Sequence, residues 1–266
     1  MDNLADERPI RLHKEIVDFY EYIRPRDFEE RMRSRLVKEL GDFCRALWSD
    51  AGVHPFGSYP TELYLPTSDM DLVVVSDRLL TQGGSFGRYS SNRNMRIFGA
   101  TLKSKGFISG EAEYIMGAKV PLVKFVNVQT QLKIDISFEN TSGLQGVSTF
   151  KVWKEQYPAM PVLVTLIKHF LGMRGLNEPV NGGIGGFSVI CLVVSMLQMM
   201  PQVQSRSMDT MHHLGDLFME FLDLYGNRFN YHDVAICLDP PRYIPKVSTV
   251  VPRWHCRRLI ILCRAR

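Results

Sequence analysis

Residues 56–75 read FGSYPTELYLPTSDMDLVVV, and the fold turns on how that stretch is parsed. It ends in an almost purely apolar run, Asp71–Val75, whose length and β-branched content suit a buried strand. Two carboxylates, Asp69 and Asp71, stand at its mouth, and the two-residue period of a strand puts both on one face. Further along, Lys133–Phe138 alternates cleanly: Ile134, Ile136 and Phe138 face one way, Asp135 the other with Lys133 and Ser137. If the two strands are neighbours in one sheet, three carboxylates meet on one polar spot.

Three clustered carboxylates repel one another unless they are protonated or bound to cations. Hard divalent ions such as Mg²⁺ take oxygen ligands and usually bind through carboxylates together with substrate phosphates. Two such ions about 3.5–4 Å apart clamp the attacking and leaving oxygens of an in-line phosphoryl displacement. Upstream, Gly57-Ser58 marks a tight turn. Glycine permits close backbone approach, and the turn's N–H groups with the serine hydroxyl can cradle phosphate. Each motif is weak alone: a DxD pair is most often a solvated turn, and Asp135 by itself would be a polar residue on a wet strand face. Their order, on segments able to form strands, is what points to nucleotidyl transfer.

Outward from this stretch, residues 9–24 read as a helix stopped by Pro25. A second runs from Asp27, where Asp27 and Glu30 have capping-box spacing, to Asp50 along a stripe of Phe28, Met32, Leu36, Leu40, Phe43 and Leu47. Short strands are expected at 53–56, 71–75, 122–128 and 131–138, with a turn near Gln129, a surface loop over 76–94 and a helix over 96–105. From Phe150 the period turns helical, with helices over 161–174, 185–200 and 214–225. The 185–200 segment contains Gly, Ser and Gln and is shorter than the ~20 residues of a membrane span, so it reads as a buried core helix. The expected fold class is α+β: a small mixed sheet with helices over 37–150, then a helical domain over 151–246 joined by the N-terminal helices of 9–36.

The chain has 266 residues with a formal charge of +4. Residues 241–266 hold seven basic residues and no acidic one, which leaves −3 on residues 1–240. Bulk charge therefore gives no footprint for nucleic acid on the body of the chain. Five scattered cysteines, with no CxxC pair, argue against disulfides and against a zinc site. Cys44 and Cys191 sit on apolar helical stripes and read as inert core residues. The first residues lack an apolar h-region, so no secretory signal is expected, and no membrane association is expected either. The seven histidines show no metal-ligand spacing.

The GS turn, the DxD strand and a third aspartate on a later strand resemble the polymerase-β-like nucleotidyltransferase superfamily. More closely, FGSYPTELYLPTSDMDLVVV, KVPLVKF (119–125), LKIDISFENTSG (132–143), YPAMPVLVTLIKHFLGMRGLNEP (157–179) and GGIGGFSVICLVVSMLQMMP (182–201) resemble noncanonical poly(A) RNA polymerases of the nuclear TRAMP type. That resemblance implies a polymerase-β-like catalytic domain followed by a helical central, PAP-associated domain. It implies ATP as donor, an RNA 3′ end as acceptor and two Mg²⁺ or Mn²⁺ ions held by Asp69, Asp71 and Asp135. Asp135 would help to deprotonate the attacking 3′-hydroxyl. Gly57, Ser58 and Lys168 would hold the triphosphate, Gly186 would belong to the nucleotide-binding set, and Phe187 would stack on the base where the family has tyrosine. The family's Gly-Ser-Tyr is here Gly185-Gly186-Phe187, which removes one serine hydroxyl from that set.

The resemblance further implies a zinc-knuckle RNA-binding subunit and an exosome-associated RNA helicase as partners, and the nucleus, nucleolus included, as location. Residues 247–266 follow a family-like DPPRYIPK (239–246) with a basic tail that shows no family pattern. The expectation is a truncation or altered reading frame rather than an RNA contact. Two other functions fit the same residues: a terminal uridylyltransferase, and a catalytically weakened RNA-binding or scaffold member of the family.

Overall fold

The computed structural model describes residues 7–82, 89–118, 120–246 and 261–262. The chain divides into two compact units: residues 25–150, and residues up to Arg24 together with those from Lys151 onward.

In the first unit, helix α2 (Asp27–Leu47) is followed by strands β1 (Ala51–Pro55) and β2 (Met70–Ser76), and by helices α3 (Asp77–Gln82) and α4 (Asn92–Ser104). Strands β3 (Ile108–Ile115), β4 (Leu122–Asn127) and β5 (Lys133–Phe138) complete a five-stranded sheet of order β1-β2-β5-β4-β3. Only β2 and β5 run parallel; the other neighbours are antiparallel. Alternation along β4 and β5 sends Val123, Phe125, Ile134 and Ile136 into a core shared with Leu36, Leu40 and Cys44 of α2 and Met95, Phe98 and Leu102 of α4. That shared core explains why α2 belongs wholly to this unit. The expected boundary at residue 37 would cut the helix in two; the observed one falls at Pro25.

Two local expectations shift. The N-cap of α2 is Arg26, so the third helical residue is Glu29, whose carboxylate accepts the Arg26 N–H at 2.9 Å. The Asp27–Glu30 reading was displaced by one residue, and Glu30 instead accepts from the Tyr59 hydroxyl at 3.0 Å. Strand β3, which the sequence reading passed over, is an edge strand with half of its residues exposed and a register shift between Ser109 and Glu113. Part of the expected 76–94 loop is α3, and residues 83–88 of it lie outside the described residues.

In the second unit, α1 (Glu7–Ile23) packs against α6 (Met160–Gly172) and α9 (Leu214–Asp223), with the Leu214 N–H donating to His13 Nδ1 at 3.3 Å. Helix α7 (Gly186–Met199) is buried from Val189 to Gln198 and packs on α6, as its all-round apolar sequence requires. Between them in the chain order lie α5 (Ser142–Gln156), which begins in the first unit, and the short α8 (Pro201–Gln204). The helical expectation for this region omitted a small sheet of β6 (Val234–Leu238), β7 (Pro241–Pro245) and β8 (Ile261–Leu262), in the order β7-β6-β8. Apart from 261–262, the basic tail of 247–266 lies outside the described residues. Among the described residues no helix is long and apolar enough to cross a membrane, and Cys44, Cys191 and Cys237 are free thiols.

Candidate active site

One ladder row crosses four strands of the sheet. Asp71 on β2 pairs with Asp135 on β5, Asp135 with Lys124 on β4, and Lys124 with Glu113 on β3. Residues in one row share a face, and adjacent strands lie only about 4.8 Å apart. The sheet therefore lines up carboxylate, carboxylate, ammonium and carboxylate side by side. Asp69 immediately precedes β2 and is half-buried, like Asp71. The parallel β2–β5 pairing brings Asp71 and Asp135 together as the sequence pattern predicts.

That pairing is locked at its far end by a residue the sequence reading missed. Glu139, buried and at φ 53°, accepts from the Ser76 N–H at 2.8 Å and from the Ser76 hydroxyl at 3.4 Å. It fastens the end of β5 to the end of β2, and a slip of one residue would send Asp71 and Asp135 to opposite faces.

The turn ahead of β2 is fitted closely under Asp71. Gly57 has φ +69°, and a Cβ there would lie 2.5 Å from Asp71 Oδ2. The Phe56 N–H donates to the Asp71 carbonyl at 3.0 Å, and the Thr61 hydroxyl donates to the Ser58 carbonyl at 3.1 Å. Tyr59 ties the turn to α2 through Glu30; burial first, and that hydrogen bond second, push its phenol above the ordinary range. Phe56 lies so close to Gly143 of α5 that a Cβ on Gly143 would stand 2.5 Å from its ring. Glycine at both positions thus has a spatial reason, and at Gly57 a conformational one as well.

Arg33 holds the segment leading into Asp69. Its fully buried guanidinium donates from Nη2 to the carbonyls of Ser68 at 3.2 Å and Pro66 at 3.4 Å, and stacks 4.4 Å above the Tyr64 ring centroid. Its Nε and Nη1 have no hydrogen-bond partner, and burial lowers its pKa.

Asp135 Oδ2 accepts from Lys124 Nζ at 2.6 Å, with the carboxylate side chain 18% exposed. Burial raises the Asp135 pKa, the Lys124 ammonium partly offsets that, and the charges of Asp69 and Glu113 raise it again. For Lys124, burial works against the charged form, but the hydrogen bond to Asp135 and the charges of Asp135, Asp69 and Glu113 outweigh it, so its pKa is raised. Among the described residues, no three His, Cys, Asp or Glu side chains are grouped closely enough to hold a metal ion as they stand. The donor set nevertheless fits a hard divalent cation: carboxylate oxygens in one row, with a glycine cradle beneath one of them.

Lys168, Gly186 and Phe187 belong to the second unit, where the first two meet. A Cβ on Gly186 would lie 3.4 Å from Lys168 Cε and 3.6 Å from its Nζ. Gly186 opens α7, so an ammonium and a helix N-terminus, both favourable to anions, stand together. Phe187 follows with 54% of its surface exposed, which is unusual for a core aromatic.

A family model described as the central palm domain of mitochondrial-like poly(A) RNA polymerase matches residues 12–155, more than half of the chain. The chain belongs to this poly(A) RNA polymerase family. A second model, that of the Cid1 family of poly(A) polymerases, matches residues 213–262. It runs through Lys246, so the family pattern continues into the tail, contrary to the expectation that it stops at DPPRYIPK.

Among curated relatives, poly(A) RNA polymerase protein 1 of Saccharomyces cerevisiae is 42% identical over 88% of the chain and 36% of its own length. The inactive noncanonical poly(A) RNA polymerase protein Trf4-2 of Drosophila melanogaster is 32% identical over 85% of the chain and 53% of its own length. The chain thus spans about a third of the first relative and about half of the second. Among solved structures, the polymerase core of TRAMP, an RNA surveillance complex, superposes with a TM-score of 0.82 at 38% identity, over 94% of this chain and 76% of that one. The polymerase-family fold is therefore the α+β architecture expected from the DxD strand.

Proposed function

We propose that this chain transfers AMP from ATP to RNA 3′ ends without a template, in nuclear RNA processing and surveillance. The observation that carries the reading is the register of Asp71 beside Asp135, with the Gly57 turn packed beneath Asp71. Asp69, Asp71 and Asp135 are the residues that would hold two Mg²⁺ or Mn²⁺ ions. When bound, such ions neutralise charge on the attacking and leaving oxygens of an in-line displacement.

The chain's own residues do the rest. The Gly57-Ser58 backbone offers N–H groups and a hydroxyl to the triphosphate, held still by Thr61 and Tyr59. Asp135, whose proton affinity is raised by burial, accepts the proton of the 3′-hydroxyl; a positioned base of this kind contributes about 10²–10⁴ in rate. Lys168 and the α7 N-terminus at Gly186 meet phosphate charge, and exposed Phe187 offers an aromatic face to adenine.

The name of the Drosophila relative keeps the weakened-scaffold reading in view. The presence of all three aspartates favours catalysis, because a chain without catalysis has no physical need for mutually repelling carboxylates. RNA 3′ ends, a zinc-knuckle RNA-binding subunit and an exosome-associated helicase are the partners we assign, with the nucleus as location. The support for these is the family resemblance and the solved TRAMP core.

Extension of a labelled oligo(A) RNA with each of the four nucleoside triphosphates and Mg²⁺ or Mn²⁺ tests the reading. AMP addition above the other three is expected. Preferred UMP addition would make the chain a uridylyltransferase, and no extension would favour the scaffold.

A further inference from the structure

Lys124 sits between two acids in the same ladder row: Asp135 on one side and Glu113 on the other. Its ammonium rests on Asp135 Oδ2 at 2.6 Å, a carboxylate oxygen that the metal reading needs as a ligand. Glu113 is exposed and lies close enough for its charge to bear on Lys124 and Asp135 alike. Directly paired side chains on neighbouring strands have Cβ atoms about 4.5–5.5 Å apart, so a flexible four-carbon stem reaches a partner on either side. A divalent ion and an ammonium on one carboxylate repel each other strongly even at the effective dielectric of a protein surface. Among the described residues, the three aspartates are not drawn together into a metal cage while the ammonium occupies Asp135 Oδ2.

We propose that Lys124 is the resident counter-cation of Asp135, and that a divalent ion taking Asp135 displaces the ammonium along the row to Glu113. This rests on the reading that Asp69, Asp71 and Asp135 bind metal. Lys124 is a positioning residue in this scheme: it holds Asp135 charged and in place, and it keeps metal affinity low in the nucleotide-free protein. The anionic triphosphate then favours the loaded state by adding negative charge beside the ion.

The test is Mn²⁺ binding to the whole chain without nucleotide, read from the electron paramagnetic resonance signal of free Mn²⁺. Lys124→Met keeps the aliphatic stem and removes the competing charge, so affinity should rise about tenfold or more. Lys124→Arg keeps a cation and should keep the wild-type affinity. Glu113→Gln removes the second seat and should weaken binding, but it should have no further effect in the Lys124→Met background, as coupling through one residue requires. Unchanged or weaker Mn²⁺ binding in Lys124→Met would overturn the competition. An undiminished Glu113→Gln effect in that background would overturn the second seat. Failure of the metal reading itself would look different: Asp135→Asn would then bind Mn²⁺ as the wild type does.

Discussion

A Cβ on Gly57 would stand 2.5 Å from Asp71 Oδ2, so the turn and the strand that follows it are built against each other. The contact joins two motifs separate in sequence, GS and DxD, into one object. Gly57→Ala should therefore act twice. The left-handed backbone at φ +69° costs a non-glycine residue about 1–2 kcal/mol, and the methyl must push the Asp71 carboxylate aside. We expect a small fall in melting temperature and a loss of AMP transfer of about 100-fold, the scale of an ångström-sized misplacement. Steady-state rates beside a thermal melt check it; full activity in a folded variant would separate the turn from the site.

Arg33 makes a different prediction, because its buried guanidinium stabilises little for what it costs. Two of its nitrogens lack partners, and its hydrogen bonds to Pro66 and Ser68 are long. Replacing such a group by an apolar one of similar size is often neutral for stability. Arg33→Met should hold the melting temperature nearly constant while slackening the 66–69 segment, with AMP transfer falling about tenfold or more. A large drop in melting temperature with unchanged turnover per folded molecule would make Arg33 purely structural.

The buried thiols give a prediction independent of the catalytic reading. Burial pushes the Cys44 thiol up to about 12, with the Arg45 charge acting in the opposite direction. Only a minute thiolate fraction then exists at pH 8, and the thiolate is the reactive form. Native-state alkylation mapped by mass spectrometry should label partly exposed Cys237 well before Cys44 and Cys191. Labelling of Cys44 at the rate of Cys237 would mean the α2 core contact is wrong.

The parts of this account legible in sequence are those with a period. β5 announced itself by alternation around Asp135, β2 by the apolar run that follows Asp71, and α7 by its largely apolar length. Lys124 was within reach too: a turn near Gln129 sets it opposite Asp135, and Leu122–Asn127 alternates just as Lys133–Phe138 does. Arg33 and Glu139 carried no such signal. Each is a charged residue buried by long-range contacts, Arg33 with carbonyls of the loop before Asp69 and Glu139 with Ser76. Strand β3 was hidden because the register shift between Ser109 and Glu113 breaks the alternation of its core-facing Ile108, Ala112 and Tyr114, and Ser-Gly-Glu looks like a loop. The small sheet of β6, β7 and β8 was hidden for a related reason: its strands are short, β7 is bounded by prolines, and β8 joins through residues 261–262.

The most direct measurement of the central claim is Asp135→Asn, with AMP transfer to labelled oligo(A) and ATP affinity determined on the same preparation. The substitution keeps the shape and one acceptor oxygen in the row beside Asp71 but removes the charge and the basicity. The account predicts that transfer collapses by about 10²–10⁴, the contribution of a positioned base, while ATP binding stays near wild type. Transfer within a fewfold of wild type, or a loss of ATP affinity in proportion to turnover, would contradict it.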